Sequence, residues 1–470
     1  MIPVARPGAR GAARAFLLLL PPVLFPFFQI GITPALPSLA ADMHVGAGEL
    51  AWVMSAFLIS CAVAAPLLGR LGDAYGHRRV LIVTLVIVGA GSALAVFASD
   101  FWLLVVGRVL QGSAGGVLPL SVALIRRLLP AARQAPAIGL LTALVGLAAG
   151  FALLSGGLLT DAFSFRAVFT ADLAAVLAAL GCAALLPPST PPSRRGRVDF
   201  VGAIVLGVGT LLVVSAITEI GHFPDGLLRA LVTATAGTAL LVALVAVELR
   251  SAHPLLNVRL LRRPAVLWID ISTLLVNIAG FAVFLLVPQL AQLEPALGGF
   301  GSSATEVGVF LLPGAVLTIA AGPAFSRLGA RIGHPWTAAI AASVVAAGMA
   351  GLALFTWSAL TFFIAAAVAL VGLNLAFGAM TNALVSAVPG ENVGEATGIN
   401  SLARTTGNAL GSQMTGVIVA GGLVAPAVDA LSAFSAAFLV SAVIGVAGSV
   451  AALGARVHGR EGAAGPPAQG

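Results

Sequence analysis

No lysine occurs anywhere in the 470 residues; all 24 basic side chains are arginine. That absence excludes a phosphate-binding loop ending in Gly-Lys-Ser/Thr, and with it ATP-driven pumping by this chain alone. Charge of either sign is scarce, at 9% of residues. A soluble protein needs about 25% charged residues to cover its surface, so a string of soluble domains is excluded despite the length. Cysteine is nearly missing. Cys61 and Cys182 both lie inside apolar runs, which implies neither a disulfide nor a metal site. The histidines, His44, His77, His222, His253, His334 and His458, fall at loops or segment ends rather than in a metal-ligand cluster. A membrane-embedded enzyme should gather His, Asp and Cys at one membrane face, and the sequence offers no such gathering. No enzyme activity, metal or cofactor is expected.

What is there is hydrocarbon. Hydrophobic residues make up 59% of the chain, and the mean hydropathy is +1.08. This describes an all-α polytopic membrane protein. The net charge of +7 could suggest nucleic acid, but the arginine positions give a better account, and no nucleic-acid partner is expected.

A span needs about 20 mostly apolar residues to cross the bilayer core. Fourteen such runs can be read: 15–36, 50–68, 80–98, 101–125, 136–159, 165–186, 200–220, 227–249, 265–291, 305–325, 336–355, 360–384, 394–423 and 431–453. The first could be mistaken for a secretion signal with a cleavage site at Ser38-Leu-Ala40, but it is too long, and an uncleaved helix is expected. With the N-terminus inside, 20 of the 24 arginines fall in inside segments. Arg166 and Arg229 are outside, and Arg108 and Arg404 lie within spans. The alternation obeys the positive-inside rule and places both termini in the cytoplasm of a cell-membrane protein. The stretch Pro187–Arg197 is proline-rich and basic and reads as an extended linker.

The most information-dense stretch is Gly69-Arg-Leu-Gly-Asp-Ala-Tyr-Gly-His-Arg-Arg79, between spans 2 and 3. So many charges cannot sit at mid-depth, so a tight loop at the lipid–water boundary is expected. Gly72 and Gly76 would let helix ends approach. Asp73, Arg78 and Arg79 would clamp the loop to helix ends by charge and dipole. Gly322-Pro-Ala-Phe-Ser-Arg-Leu-Gly-Ala-Arg331 echoes this loop, with Ser326 in place of the aspartate. If spans 7 and 8 are set aside, the echo falls between helices 2 and 3 of a second bundle. The expected organisation is then a six-helix bundle over 1–186, a linker with an inserted pair over 187–263, a second six-helix bundle over 264–455, and a disordered tail over 456–470.

The ordered spacing Gly-x3-Asp-x2-Gly-x-Arg-Arg resembles the loop between helices 2 and 3 of the major facilitator superfamily of secondary transporters. Arg108-Val-Leu-Gln-Gly112 resembles that family's Arg-x-x-Gln-Gly motif in helix 4. Four further segments resemble its fourteen-helix drug:proton antiporter branch: Ala35 to Asp42 with Glu49-Leu-Ala-Trp52, Phe165-Arg-Ala-Val-Phe169, Glu248 to Leu256, and Gly394 to Gly407. The resemblance implies two six-helix bundles with an inserted pair, which rock around a central site by alternating access. It implies a gating role for the loop carrying Gly69, Gly72, Asp73, Gly76, Arg78 and Arg79. It implies proton coupling through Arg108 and Gln111, with a proton gradient as the energy source and a small organic compound, such as a drug or antibiotic, as cargo. Protons and the lipid bilayer complete the expected partners, and a monomer is expected.

Two positions depart from the branch. Phe28 stands where many members carry a helix-1 aspartate, and Ala152-Leu153 replaces a Gly-Pro pair ahead of Gly156-Gly157. Both departures weaken a reading as an exporter of cationic drugs and leave room for a metabolite transporter of other direction or ion. Asp270, two turns into span 9, is the expected proton carrier, with Asn277 two turns further on the same face. Phe28, Asn277 and Asn374, with Phe27, Phe281 and Phe284, are expected to line a substrate cavity. Asp172 and Glu306 are expected near the outer face and solvated. Trp102 and Trp268 fit interfacial anchors.

Overall fold

The structure, a computed structural model, describes residues 17–186, 199–221, 225–251, 257–354, 356, 358–389, 392–424 and 430–463. The linker, the segment around His253 and the last residues of the tail lie outside these. Fourteen long helices follow one another in the described residues: α1 (Leu17–Met43), α2 (Ala47–Tyr75), α3 (His77–Val96), α4 (Phe101–Leu128), α5 (Ala131–Ala162), α6 (Phe165–Leu185), α7 (Phe200–Ile220), α8 (Leu227–Arg250), α9 (Pro264–Gln292), α10 (Ala304–Ile332), α11 (His334–Leu354), α12 (Ala359–Ala387), α13 (Val393–Val424) and α14 (Ala430–Ala463). Several run beyond the expected spans because a helix need not end where the hydrocarbon does. α14 continues past residue 456, into the stretch read as tail.

Thirteen of these helices are long and apolar enough to cross a membrane. α13 is long enough but too polar. It carries Asn400, Thr405, Asn408, Ser412, Gln413 and Thr415, all buried. A polar helix is tolerated inside a bundle when its side chains find partners there. α1 is broken past Ile30 by a tight turn at Thr33–Ala35 that carries Pro34. The break leaves last-turn carbonyls open to outside donors.

The expected loop between spans 2 and 3 is corrected to a single residue. α2 runs through Tyr75, α3 starts at His77, and Gly76 alone turns the chain at φ 97°. A left-handed φ of this kind favours glycine. The echo is corrected as well. α10 ends at Ile332, Gly333 turns at φ 94°, and His334 opens α11. Gly76-His77 thus corresponds to Gly333-His334, and Gly72 to Gly329. A Cβ at Gly72 would lie 2.9 Å from the His77 ring, and one at Gly329 would lie 2.9 Å from the His334 ring. In this register Arg70-Leu71-Gly72 matches Arg327-Leu328-Gly329, Pro66 matches Pro323, and Ala330, not Ser326, takes the place of Asp73.

The two bundles meet along two seams, α5 against α10 and α2 against α13. In the first, added Cβ atoms at Gly157 and Gly308 would run into the Ala304 and Leu153 carbonyls. In the second, Ser55 Oγ donates to Ala409 O and Gln413 Oε1, both at 3.2 Å, and Gly416 lies on Ala51. These contacts cluster toward the arginine-poor end. Toward the other end, a Cβ at Gly146, Gly394 or Gly398 would meet nothing within 4 Å. After Gly314 the rest of α10 buries only Gly329. The seams therefore close at the arginine-poor end and separate toward the arginine-rich end. The inserted helices α7 and α8 pack on each other at Gly209 and Gly237. α7 also leans on the α2–α13 seam, where Gln413 Nε2 donates to Thr218 Oγ1 at 2.8 Å and to Gly48 O at 3.2 Å.

Candidate functional site

Each bundle holds one buried polar cluster. In the first, α4 puts Arg108 and Gln111 three residues apart on one face. Arg108 has no exposed surface. Its Nε donates to Val53 O at 2.9 Å, and its Nη1 donates to Phe28 O and Gln111 Oε1, both at 2.7 Å. The guanidinium also lies over the Phe57 ring, 4.4 Å from its centroid. Gln111 Nε2 donates to Ser92 Oγ at 2.9 Å and to Asp172 Oδ2 at 3.3 Å. Glycines make this approach possible. Just past Gln111, Cβ atoms at Gly112 and Gly115 would clash with the backbone of α2 at Phe57 and Cys61. A cation inside a membrane protein is tolerated when carbonyl and amide oxygens accept from it in this way, here with the Asp172 carboxylate one hydrogen bond further off through Gln111.

Two expectations change here. Asp172 is not solvated: it is 4% exposed and joined to the Arg108 cluster through Gln111. Its depth from the end of α6 suggested water, but the face it occupies points into the bundle. Phe28 is buried, and it contributes its backbone carbonyl to Arg108 rather than a ring to an open cavity.

In the second bundle, Asn400 Nδ2 donates to Asp270 Oδ1 and to Thr273 Oγ1, both at 2.8 Å. Asn277 Nδ2 donates to Thr273 O at 2.7 Å. Asp270 is 6% exposed, and its Oδ2 has no hydrogen-bond partner among the described residues. One turn beyond Asn400, Arg404 stacks on Phe377 at 5.0 Å and donates from Nη2 to Ser401 Oγ at 3.4 Å. Asn400 and Arg404 were not singled out as site residues by the sequence reading; polar side chains four apart in a span were the available signal.

Asn374 is placed elsewhere. It donates to Leu370 O at 2.9 Å and lines a small cavity among α10, α11 and α12. The structure thus does not bring Phe28, Asn277 and Asn374 into one cavity. Phe281 and Phe284 pack against each other, with centroids 5.1 Å apart, and both are buried.

At the arginine-rich end, Asp73 Oδ1 lies 3.2 Å from His77 Nε2 and 3.8 Å from Arg127 Nη2. Arg78 donates to the last carbonyls of α6, Nε to Ala183 O at 3.1 Å and Nη2 to Ala184 O at 2.7 Å. Cations complement a helix C-terminus in this way. Arg79 is exposed, and a Cβ at Gly69 would meet nothing within 4 Å. At the opposite end, Asp161 of α5 accepts from the backbone N–H of Ala304 at 3.2 Å and of Thr305 at 2.7 Å, capping α10 across the bundle boundary. Glu306 caps the same helix from within, accepting from Ser303 N at 2.8 Å. Arg166 pairs with Asp42 at 2.9 Å. The retained Gly156-Gly157 pair lies where α5 crosses Gly31 of α1 and Ala304 of α10.

A model of the Major Facilitator Superfamily matches residues 23–412. The chain belongs to this superfamily, and it is a multi-pass membrane transporter with drug and antibiotic exporters among its relatives. The lincomycin resistance protein of Streptomyces lincolnensis is 29% identical over 86% of this chain and 84% of its own length. A uridine/deoxyuridine transporter of Lactococcus lactis subsp. cremoris is 31% identical over 64% of each chain. The aligned part of this chain thus spans under two thirds of that transporter. Among solved structures, a peptide transporter in complex with sulfate superposes with a TM-score of 0.69 at 13% identity, covering 97% of this chain and 96% of that one. That likeness shows the fold alone.

Proposed function

We propose that this chain exports a small amphipathic organic compound, a drug or antibiotic, in exchange for protons, by alternating access between its two bundles. The observation that carries the reading is Asp270. It is a buried carboxyl group with one oxygen held by Asn400 and the other without a hydrogen-bond partner among the described residues. A carboxyl in that setting can load a proton in one state of the protein and release it in another. Resistance and export relatives support the direction outward and the class of cargo. The proton gradient supplies the energy with no cofactor, both termini face the cytoplasm, and the arginine-rich end is the cytoplasmic one. The closed arginine-poor end then corresponds to a state open inward.

The test is efflux of a fluorescent substrate from energised cells, or its uptake into energised everted vesicles. Efflux that stops on addition of a protonophore supports the reading; efflux indifferent to the gradient removes proton coupling. The uridine/deoxyuridine relative favours a second reading, metabolite transport on the same fold. Gradient-driven accumulation of a nucleoside inside expressing cells would establish it instead.

A further inference from the structure

Arg404 is the cation of the second bundle, and the Asp270 cluster makes no use of it. Its place on α13 is defined by the residues on either side. Before it, a Cβ at Gly394 or Gly398 would meet nothing within 4 Å. After it, Ala409 O accepts from Ser55 Oγ of the first bundle at 3.2 Å. Arg404 therefore stands at the apex of the opening between α2 and α13, where the two bundles part. Its side chain is largely buried and lies over the Phe377 ring. That ring is 44% exposed.

The contacts within the chain leave this guanidinium underserved. Nε is buried with no hydrogen-bond partner among the described residues, and the one bond made is the long one from Nη2 to Ser401 Oγ at 3.4 Å. None of the ion pairs among the described residues includes Arg404. Unlike Arg108, it reaches no backbone carbonyl there. One turn on and on the same side of α13, Asn408 is 4% exposed, and its Oδ1 also lacks a partner. Arginine cannot shed its proton to escape the cost of burial. Stacking on Phe377 recovers part of that cost through one face of the guanidinium and leaves its in-plane N–H donors unmatched. A planar oxyanion fits those donors, and the adjoining aromatic ring fits an apolar body. We infer that Arg404 is a specificity-determining residue that receives the anionic oxygen of an organic acid with an aromatic or similarly apolar body, the acid being the cargo. The inference deepens the transport reading and rests on it for the identity of the ligand as cargo. It accords with Phe28, where the helix-1 acid that would attract a cation is missing.

The test uses the purified full-length transporter and three probes on one ring system: 2-naphthoate, uncharged 2-naphthamide and cationic 2-naphthylmethylammonium. Binding is read by titration calorimetry. The expected result is naphthoate binding about tenfold tighter than naphthamide, with no displacement of naphthoate by the ammonium probe. Arg404→Gln should erase the preference for naphthoate and leave naphthamide affinity near wild type. Arg404→Lys keeps the charge without the planar fork, and its preference should fall between the two, which reads the site even if Arg404→Gln misfolds. The inference is overturned if the wild type shows no preference for naphthoate, which is the outcome if Arg404 serves only as a counter-charge for Asp270. It is also overturned if both variants keep the full preference, if the ammonium probe displaces naphthoate, or if sulfate at the same concentration competes equally well. Efflux indifferent to the gradient, with this preference intact, would remove proton coupling and leave the Arg404 site. Gradient-driven efflux with no such preference would remove the site and leave the coupling.

Discussion

The two buried clusters solve the same problem differently. In the first bundle a cation is the central group, and it is enclosed: Arg108 reaches Val53 and Phe28 carbonyls, Gln111 and, through Gln111, Asp172. In the second an anion is central, and it is underserved: Asp270 has one amide donor, while Arg404 stands apart on Phe377. Arg108 makes three hydrogen bonds from Nε and Nη1, while its Nη2 has no partner among the described residues; changing a buried charge held in this way breaks the local structure. A buried carboxyl with an unmatched oxygen can change its protonation without breaking its neighbours. The contrast supports the proposal that Asp270 exchanges the proton, and it leaves the expected coupling role of Arg108 and Gln111 as a proposal beside it.

The largest expected effect comes from breaking the enclosed cluster. Arg108→Leu strands two carbonyls and the Gln111–Asp172 pair in the protein interior. Removing one partner of a buried charge network costs about 3–5 kcal/mol, so a lowered melting temperature and loss of all transport modes are expected in proteoliposomes. Asp270→Asn should separate the two roles. The amide keeps the shape but holds no exchangeable charge. Gradient-driven transport should fall to background, while the melting temperature and membrane insertion stay near wild type. Transport that survives in Asp270→Asn would place the coupling carboxyl elsewhere, with Asp172 the next to test.

Apolar runs and arginine placement were enough to read the fourteen helices, because the bilayer imposes both; the family was read from the resemblance carried by the Gly69–Arg79 and Arg108–Gly112 motifs. Gly76 of the α2–α3 turn was legible for another reason: a φ of 97° favours glycine. The register of its echo was not, since the glycines seven apart, Gly322 and Gly329, match Gly69 and Gly76 in one frame, while in the structural frame Gly69 falls on Ser326. Only the positive φ at Gly333 decides the frame, although the shared Arg-Leu-Gly and Gly-His pairs were available. Asp172 and Asp270 lie at comparable depth from their helix ends, yet one was expected to be wet and the other buried. Depth follows from counting residues; the facing direction follows from which neighbour supplies Gln111 or Asn400, which a single sequence does not contain. Asn374 was read as lining a cavity, but its separation from Phe28 and Asn277 depends on helix rotation.

A smaller effect is expected where the bundles latch. Asp161→Ala removes both cap bonds to α10. Loss of a helix N-cap costs about 0.5–2 kcal/mol, here taken only from the state closed at the arginine-poor end. That shift favours opening at this end by about tenfold. A cysteine placed at Ser303 should react faster with a membrane-impermeant maleimide applied to intact cells, and transport should slow rather than stop. An unchanged labelling rate would mean that the Gly157–Ala304 contact alone holds the seam.

Effects of similar size test the corrected register of the two turns between helices. Gly76→Ala and Gly333→Ala each force a left-handed φ on a residue with a Cβ, at about 1–2 kcal/mol. Gly69→Ala meets open space and should be silent. In the register of the sequence echo, Gly76 pairs with Gly329; in the structural register it pairs with Gly333. Gly329 lies inside α10 with no positive φ, and the three atoms nearest an added Cβ belong to the His334 ring and the Thr337 hydroxyl. Relieving that contact is possible by a side-chain shift, so Gly329→Ala should cost less than Gly333→Ala. Melting temperatures ranked with Gly333→Ala beside Gly76→Ala support the two turns as true counterparts. Equal losses for Gly329→Ala and Gly76→Ala, with Gly333→Ala near wild type, would restore the frame read from the glycine spacing.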